Sequence, residues 1–435
     1  MMLLVLLLQA GDLKGEPQPE VWREMDVPAA PALSPDEALK SFRLHDGFKM
    51  ELVAAEPLVE DPVAMTWDAD GRLYVVEMRG FMPDIDGRGE DAPVGRIVVL
   101  EDTDGDGAMD KRTVFMDQLV MPRAVGFAGE GVLVGEPPTL WYCLDTDGDF
   151  AADFRASVAG YGMQGPVEHN DNGLLRGLDN GIYNAKSRQR FGWRRGTLVK
   201  EETAARGQWG IAQDDFGRLY TNHNSSFLHA DLVPFEFLGR HPYYRDHHVG
   251  INASIVKDQT VYPIRVNPGV NRAYRDGVLR DDGTLRAATA TCGPAIYRGD
   301  AYPPEFRGNA FVPEPAANVV CRFSLEENGI WLKAHHAHQD GEFVSSTDER
   351  FRPVNCYAGP DGCLYIVDLY RGILQHREYV TTFLRKQVLE RGLDKPAGLG
   401  RIYRVVRADT KAEPPRLSGA GAEALVEALS HPNGW

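Results

Sequence analysis

Asp214-Asp-Phe-Gly217-Arg-Leu-Tyr-Thr-Asn222 is an acidic turn, a glycine, and a short strand-forming run that ends on a polar residue. Asp and Gly favour tight turns, and the Leu, Tyr and Thr that follow suit a pleated strand. The same pattern stands at Gly71-Arg-Leu-Tyr-Val-Val-Glu77, Gly131-Val-Leu-Val-Gly-Glu136, Gly181-Ile-Tyr-Asn184, Gly308-Asn-Ala-Phe-Val-Pro-Glu314 and Gly362-Cys-Leu-Tyr-Ile-Val-Asp368. The copies recur 36 to 60 residues apart, with one step of 91 between Gly217 and Gly308. A period of about 40–50 residues with four strands in each is the sequence mark of a β-propeller. Six copies predict an all-β, six-bladed propeller over residues 41–408. The long step predicts an insertion over Phe237–Ala290.

The flanks read differently. Met1-Met-Leu-Leu-Val-Leu-Leu-Leu-Gln9-Ala10 is a minimal signal-like start. It predicts export, to the periplasm or cell envelope. The rest of residues 1–40 is rich in Pro, Glu and Ala and reads as a linker or extended arm. Val380–Leu393 has helical spacing, and Arg401–Val406 reads as a closing strand. Residues 409–435 read as a linker and then an amphipathic helix from Ala422. A lone helix cannot bury its own face, so this is expected to begin a helical-repeat domain.

The net charge is −16, from 63 acidic and 47 basic residues in 435. Such a surface repels phosphate backbones and argues against a nucleic-acid partner. There is no CxxCH, so this chain attaches no haem.

Three features carry chemistry. The first is a pair of aspartate loops, Asp102-Thr-Asp104-Gly-Asp106-Gly107-Ala-Met-Asp110 and Asp145-Thr-Asp147-Gly-Asp149-Phe150-Ala-Ala-Asp153. Carboxylates at alternate positions around a sharp turn can wrap Ca²⁺. Phe150 stands where the first loop has Gly107, which makes the second a weaker candidate. The second feature is the set of strand ends. Parallel positions of repeated strands point to one face, so Glu77, Arg79, Glu136, Asn184, Asn222, His223, Asn224, Glu314, Asp368 and Arg371 are expected around one channel mouth, where converging polar groups make a ligand site. The third is Glu168-His169, in a polar loop ahead of a strand. A neutral His169 there can take a proton from a substrate hydroxyl.

Several stretches resemble the N-terminal propeller of the membrane-bound dehydrogenases of planctomycetes and verrucomicrobia. They are Asp61–Met78, Glu101–Phe115, Trp209–Tyr220, Ser346–Asn355 and Gly392–Arg404. Those proteins are distantly similar to the soluble quinoprotein glucose and sorbosone dehydrogenases. The resemblance implies a six-bladed propeller using calcium and pyrroloquinoline quinone (PQQ) to oxidise a sugar or related alcohol. It also implies electron transfer to a cytochrome c domain or protein, with any membrane association through other parts or partners. It places His169 as catalytic base, Arg206 and Arg298 at the quinone, and Asn222, His223 and Asn224 in the loop near it. Where basic residues would close the quinone site, this chain has Pro315-Ala-Ala-Asn318. That departure favours an alternative: a non-catalytic propeller that binds glycans or proteins.

Overall fold

The structure is a computed structural model that describes residues 9–162, 167–244, 249–407 and 414–435. The apolar start at residues 1–8 and linker residues 409–413 lie outside the described residues.

The chain is mostly β, in a propeller-like arrangement of antiparallel sheets. Strands Pro62–Trp67, Leu73–Glu77, Gly95–Glu101 and Lys111–Leu119 form one four-stranded sheet in chain order. Ala212–Gln213, Leu219–His223, Ser226–Ala230 and Ala253–Ser254 form another. A third contains Pro353–Ala358, Leu364–Asp368 and Arg401–Arg407, with Phe48–Ala55 as its outermost strand. The two ends of the chain are therefore stitched into one sheet, which closes the ring. A fourth sheet is built on Ala310–Glu314 and Val319–Asn328 and takes in Phe42–Leu44 at its edge. Eight strands from Ala124–Ala128 to Thr197–Glu202 make the fifth. Its two antiparallel meanders meet at a single parallel pairing, Gly173 with Ala124. Among the described residues, hydrogen bonding thus defines five sheets, where the repeat predicts six separate ones.

The repeat is apolar because its strands are covered on both faces. Leu73–Glu77, Ala310–Glu314 and Leu364–Asp368 are buried at every position. A strand sandwiched between neighbouring sheets has no solvent side, so its sequence does not alternate. Leu73, Val75, Val76, Ile97, Val98, Val312 and Val367 belong to one core cluster.

Near the axis the innermost strands approach closely. A Cβ on Gly293 would lie 1.5 Å from Asn355 Oδ1. Side-chain amides satisfy the backbone there. Asn355 Nδ2 donates to Val63 O (2.6 Å), Asn172 Nδ2 to Gln208 O (2.7 Å), and Asn222 Nδ2 to Cys292 O. Buried carbonyls at a sheet edge need such partners.

The insertion lies between Ser226–Ala230 and Ala295–Ile296. The arm over residues 9–33 is bound rather than loose. Gly11 N donates to Val380 O (3.1 Å), and Asp12 accepts from Thr382 N (2.7 Å) at the start of helix Thr382–Glu390. That helix buries Phe383, Leu384 and Val388, the side its spacing predicts. Trp22 of the arm meets Phe383 edge-on at 5.0 Å. Helix Ala422–Ala428 buries none of its residues.

Candidate functional site

In every sheet the run that opens on glycine ends toward the same face. At that face lies a cavity of about 530 Å³. Its floor is made by the innermost strands and the segments just before them: Val63, Trp209, Cys292 and Val354. Its walls are the loops after strands Leu73–Glu77 and Leu364–Asp368, and the insertion folds over it through Gly269–Val278.

His169 lies on the wall. A short turn, Val167–His169, delivers it just ahead of strand Asn172–Arg176. The ring sits edge-on to Tyr379, another wall residue, at 5.6 Å between centroids. No described residue hydrogen-bonds its ring nitrogens. Burial lowers its pKa, and Lys186 adds to the effect. The imidazole is therefore neutral at neutral pH and can accept a proton.

Glu168, beside it, anchors the turn. Its Oε1 accepts from His376 N (2.5 Å), and both carboxylate oxygens take a longer contact from Gln375 Nε2 (3.2 and 3.3 Å). Burial raises its pKa. The contact ties the His169 turn to the loop at Gly372–Tyr379. Gln208, Trp209, Asn224, Arg272, Arg275 and Arg352 also face the cavity.

The strand-end residues behave differently from the expectation. Apart from Asn224 they do not line the cavity, and the acidic ones hold the backbone behind it. Glu77 accepts from Glu60 N (3.0 Å), Glu136 from Val120 N (2.6 Å), Glu314 from Ala290 N (3.0 Å) and Asp368 from Arg352 N (2.8 Å). Each donor sits just before the first strand of the same sheet unit. The repeated polar end is thus a latch that satisfies a buried N–H where the chain turns into the channel. Asn184 accepts from Tyr161 OH (3.2 Å). Burial pushes Glu77 and Asp368 up to about 7 and Glu314 up to about 8. Arg79 pairs with Glu60 (2.8 Å), and Arg371 pairs with Asp61 (2.8 Å) while donating to Met82 O.

The residues carried by the quinoprotein resemblance do not converge. Arg206 is buried and spent on Asp231 (2.6 Å), Thr203 and the Ala204 carbonyl. Arg298 follows the inner strand Ala295–Ile296, which runs away from the cavity. It pairs with Asp215 (2.6 Å), in a turn at the opposite face. Of the loop 222–224, only Asn224 reaches the cavity. Asn222 bridges to Cys292 O, and His223 meets His229 edge-on (4.6 Å between centroids) with its pKa lowered to about 4 by burial.

The aspartate loops also sit at the far face. Each joins a third strand, which runs back from the cavity, to a fourth: Gly95–Glu101 to Lys111–Leu119, and Thr139–Leu144 to Phe154–Gly160. Their bonding is the same. Asp102 accepts from Gly105 N (2.7 Å) and Gly107 N (2.9 Å); Asp145 accepts from Gly148 N (2.7 Å) and Phe150 N (2.9 Å). Phe150 takes a positive φ of 65° at the glycine position and lies under Arg72 at 4.5 Å. The phenylalanine therefore leaves the loop's shape unchanged. Carboxylate oxygens of Asp102, Asp104 and Asp106 lie within 4.8 Å of one another, as do those of Asp145, Asp147 and Asp149. Asp110 and Asp153, expected as ligands, are outside these groups. Each instead accepts from a threonine hydroxyl, Thr103 (2.7 Å) or Thr146 (2.6 Å), and closes its loop.

No curated protein matches the chain. Solved structures of similar fold include the PQQ domain of a Coprinopsis cinerea pyranose dehydrogenase (12% identity, TM-score 0.47, covering 84% of this chain and 97% of that one). A glucose dehydrogenase gives 14% and 0.46, with 83% and 100% covered. A Trichoderma reesei carbohydrate-active enzyme of family AA12 gives 11% and 0.46, with 88% and 98% covered. Residues 34–409 match the family described as "Domain of unknown function (DUF7133)", and the chain belongs to that family.

Proposed function

We propose that this domain is a six-bladed propeller dehydrogenase that oxidises a sugar or related alcohol in the cavity beside His169. The blade count follows from dividing the eight-stranded sheet at its one parallel pairing, which leaves four strands on each side. The observation that carries the function is the setting of His169: a neutral imidazole, with no described hydrogen-bond partner, on the wall of a cavity of about 530 Å³ whose apolar lining is interrupted by a few polar groups. The cavity volume is that of a small-molecule site.

The chemistry asked of the chain is limited. A substrate hydroxyl placed against His169 gives its proton to a ring nitrogen as hydride leaves the same carbon for a two-electron acceptor. Amides of Gln208 and Asn224 are placed to orient neighbouring hydroxyls. Glu168 and Tyr379 hold the His169 turn in register. The acceptor class implied by the resemblance is PQQ, but Arg206 and Arg298 do not fit as its seat, and no step is derived through it. A cytochrome c domain or protein is the proposed final acceptor. Calcium is proposed in the two aspartate loops, where at the far face it would brace hairpins. Export to the periplasm or cell envelope completes the reading.

The test is reconstitution. The chain, with calcium, is titrated with PQQ and assayed for dye reduction by a panel of sugars and alcohols. Saturable binding and sugar-dependent reduction support the proposal; their absence across the panel refutes it. The displaced Arg206 and Arg298 favour the rival reading, a glycan- or protein-binding scaffold. That reading predicts glycan binding without any oxidation.

A further inference from the structure

Four of the buried guanidinium groups are paired with carboxylates: Arg206 with Asp231, Arg265 with Glu349, Arg371 with Asp61, Arg401 with Glu56. Arg123, Arg322 and Arg350 are instead bonded to carbonyl or amide oxygens and do not line the cavity. Arg352, only 5% exposed, is the buried arginine without an ion pair that lines the cavity. It donates Nε to Arg371 O (3.0 Å) and Nη1 to Pro315 O (2.7 Å), and it makes no ion pair with a described residue. The acids that act on it through space are Glu349, already paired with Arg265 (2.7 Å) and Arg391 (2.5 Å), and Asp348 and Asp368, which accept from Tyr370. Nη2 of Arg352 has no described partner, and the residue lines the cavity. The insertion brings Arg272 to the same cavity, donating to the Gly11 carbonyl (3.0 Å) and making no ion pair with a described residue, though Glu16 lies within its field. Arg275, the third guanidinium, is paired with Glu16 (2.7 Å). Glu168 is the acid that faces them, and burial favours its neutral form.

A guanidinium that lines a cavity with N–H groups not engaged by a carboxylate is a ready partner for a ligand anion. Arg352 and Arg272, from different parts of the chain, face one cavity in a protein of net charge −16. We infer that the cavity recognises an organic carboxylate, bound by Arg352 and Arg272, and that the substrate is a carboxylate-bearing sugar of the uronic acid class rather than a neutral one. This rests on the reading of the cavity as the sugar site. Arg352 is placed by the latch: its backbone N–H is the one Asp368 holds (2.8 Å), and its two carbonyl contacts aim the guanidinium. A planar, fixed guanidinium suits carboxylate recognition.

The same chemistry has two sources, a uronate substrate and the carboxylates of a quinone cofactor. Calorimetric titration of the purified chain with glucuronate, with glucose and with PQQ separates them. Glucuronate should bind at least ~10-fold more tightly than glucose. Arg352→Gln and Arg272→Gln should each weaken glucuronate about 10- to 100-fold, as expected for a charge-assisted contact, and leave glucose unchanged. Arg272 is half-buried on the insertion, so its variant keeps the test alive if Arg352→Gln fails to fold. Equal binding of the two sugars, or glucuronate binding untouched in both variants, overturns the inference. Arginine-dependent binding of PQQ with no preference for glucuronate assigns the carboxylate to the cofactor and overturns the substrate class. Oxidation is not read here. A chain that binds glucuronate but oxidises nothing sinks the dehydrogenase reading alone.

Discussion

Glu314→Gln is the sharpest probe of the latch. Glu314 is fully buried at the end of its strand and receives the Ala290 N–H on both carboxylate oxygens, at 3.1 and 3.0 Å. Burial raises its pKa from 4.5 to about 8, and no cation is among the influences on it. The folded-state value is above the unfolded one. The stability it contributes is therefore complete below about pH 4.5 and is lost as pH rises through about 8. At about 1.4 kcal/mol per unit, that loss is on the order of 5 kcal/mol, of which about 4 kcal/mol falls between pH 5 and 9. Glutamine keeps the shape and the acceptor oxygen but does not titrate, so the variant lacks this loss. With an unfolding entropy of about 2 cal/mol/K per residue, ~4 kcal/mol in this chain is about 5 °C in Tm. The assay is thermal unfolding of both proteins from pH 5 to 9. The wild type should lose about 5 °C relative to the variant across that range, with the variant the more stable at pH 9. Parallel profiles would refute the argument, since they would mean that the carboxyl is not held protonated by burial.

Arg206→Gln should unfold the protein readily, by about 3–5 kcal/mol, because it strands Asp231 in the interior. Arg298→Gln, at the far face, should leave ligand binding and activity within about twofold, measured side by side; a selective loss of quinone binding would restore its implied role. Added Ca²⁺ should raise Tm by a few degrees at concentrations well above its Kd. Asp104→Asn combined with Asp147→Asn should abolish that rise without altering the cavity, and a rise that persists would place the ion elsewhere. Gly293→Ala should prevent folding, read as loss of the native unfolding transition, because its Cβ would overlap the Asn355 amide.

The repeat was legible because the physics that buries it is local. The strands that open on glycine are covered on both faces, so Leu-Tyr-Val-Val and Leu-Tyr-Ile-Val stand out as unbroken apolar runs. The insertion and the helix at Thr382–Glu390 were legible too, one from the broken period and the other from its spacing. The meaning of the polar strand ends was not. Glu77, Glu314 and Asp368 recur as functional residues would, but a recurring backbone turn needs a recurring acceptor, and sequence does not separate these demands. The cavity cations were hidden for another reason. Arg352 belongs to a stretch quoted for its resemblance, and Arg272 to an insertion read only as an insertion. Only the fold brings them to one wall. Arg298 fails by direction: an inner strand runs away from the cavity, so a residue past its end, however well spaced, lies at the other face.

His169 is where the account is most exposed. In the calcium- and quinone-supplemented chain, sugar-dependent dye reduction by wild type is compared with His169→Asn. Removing a positioned base should lower kcat about 10²- to 10⁴-fold. Sugar binding and Tm should stay near wild type, because the ring makes no described hydrogen bond. Oxidation by the variant within a few-fold of wild type would contradict the assignment of this cavity as the place where the hydroxyl proton is taken.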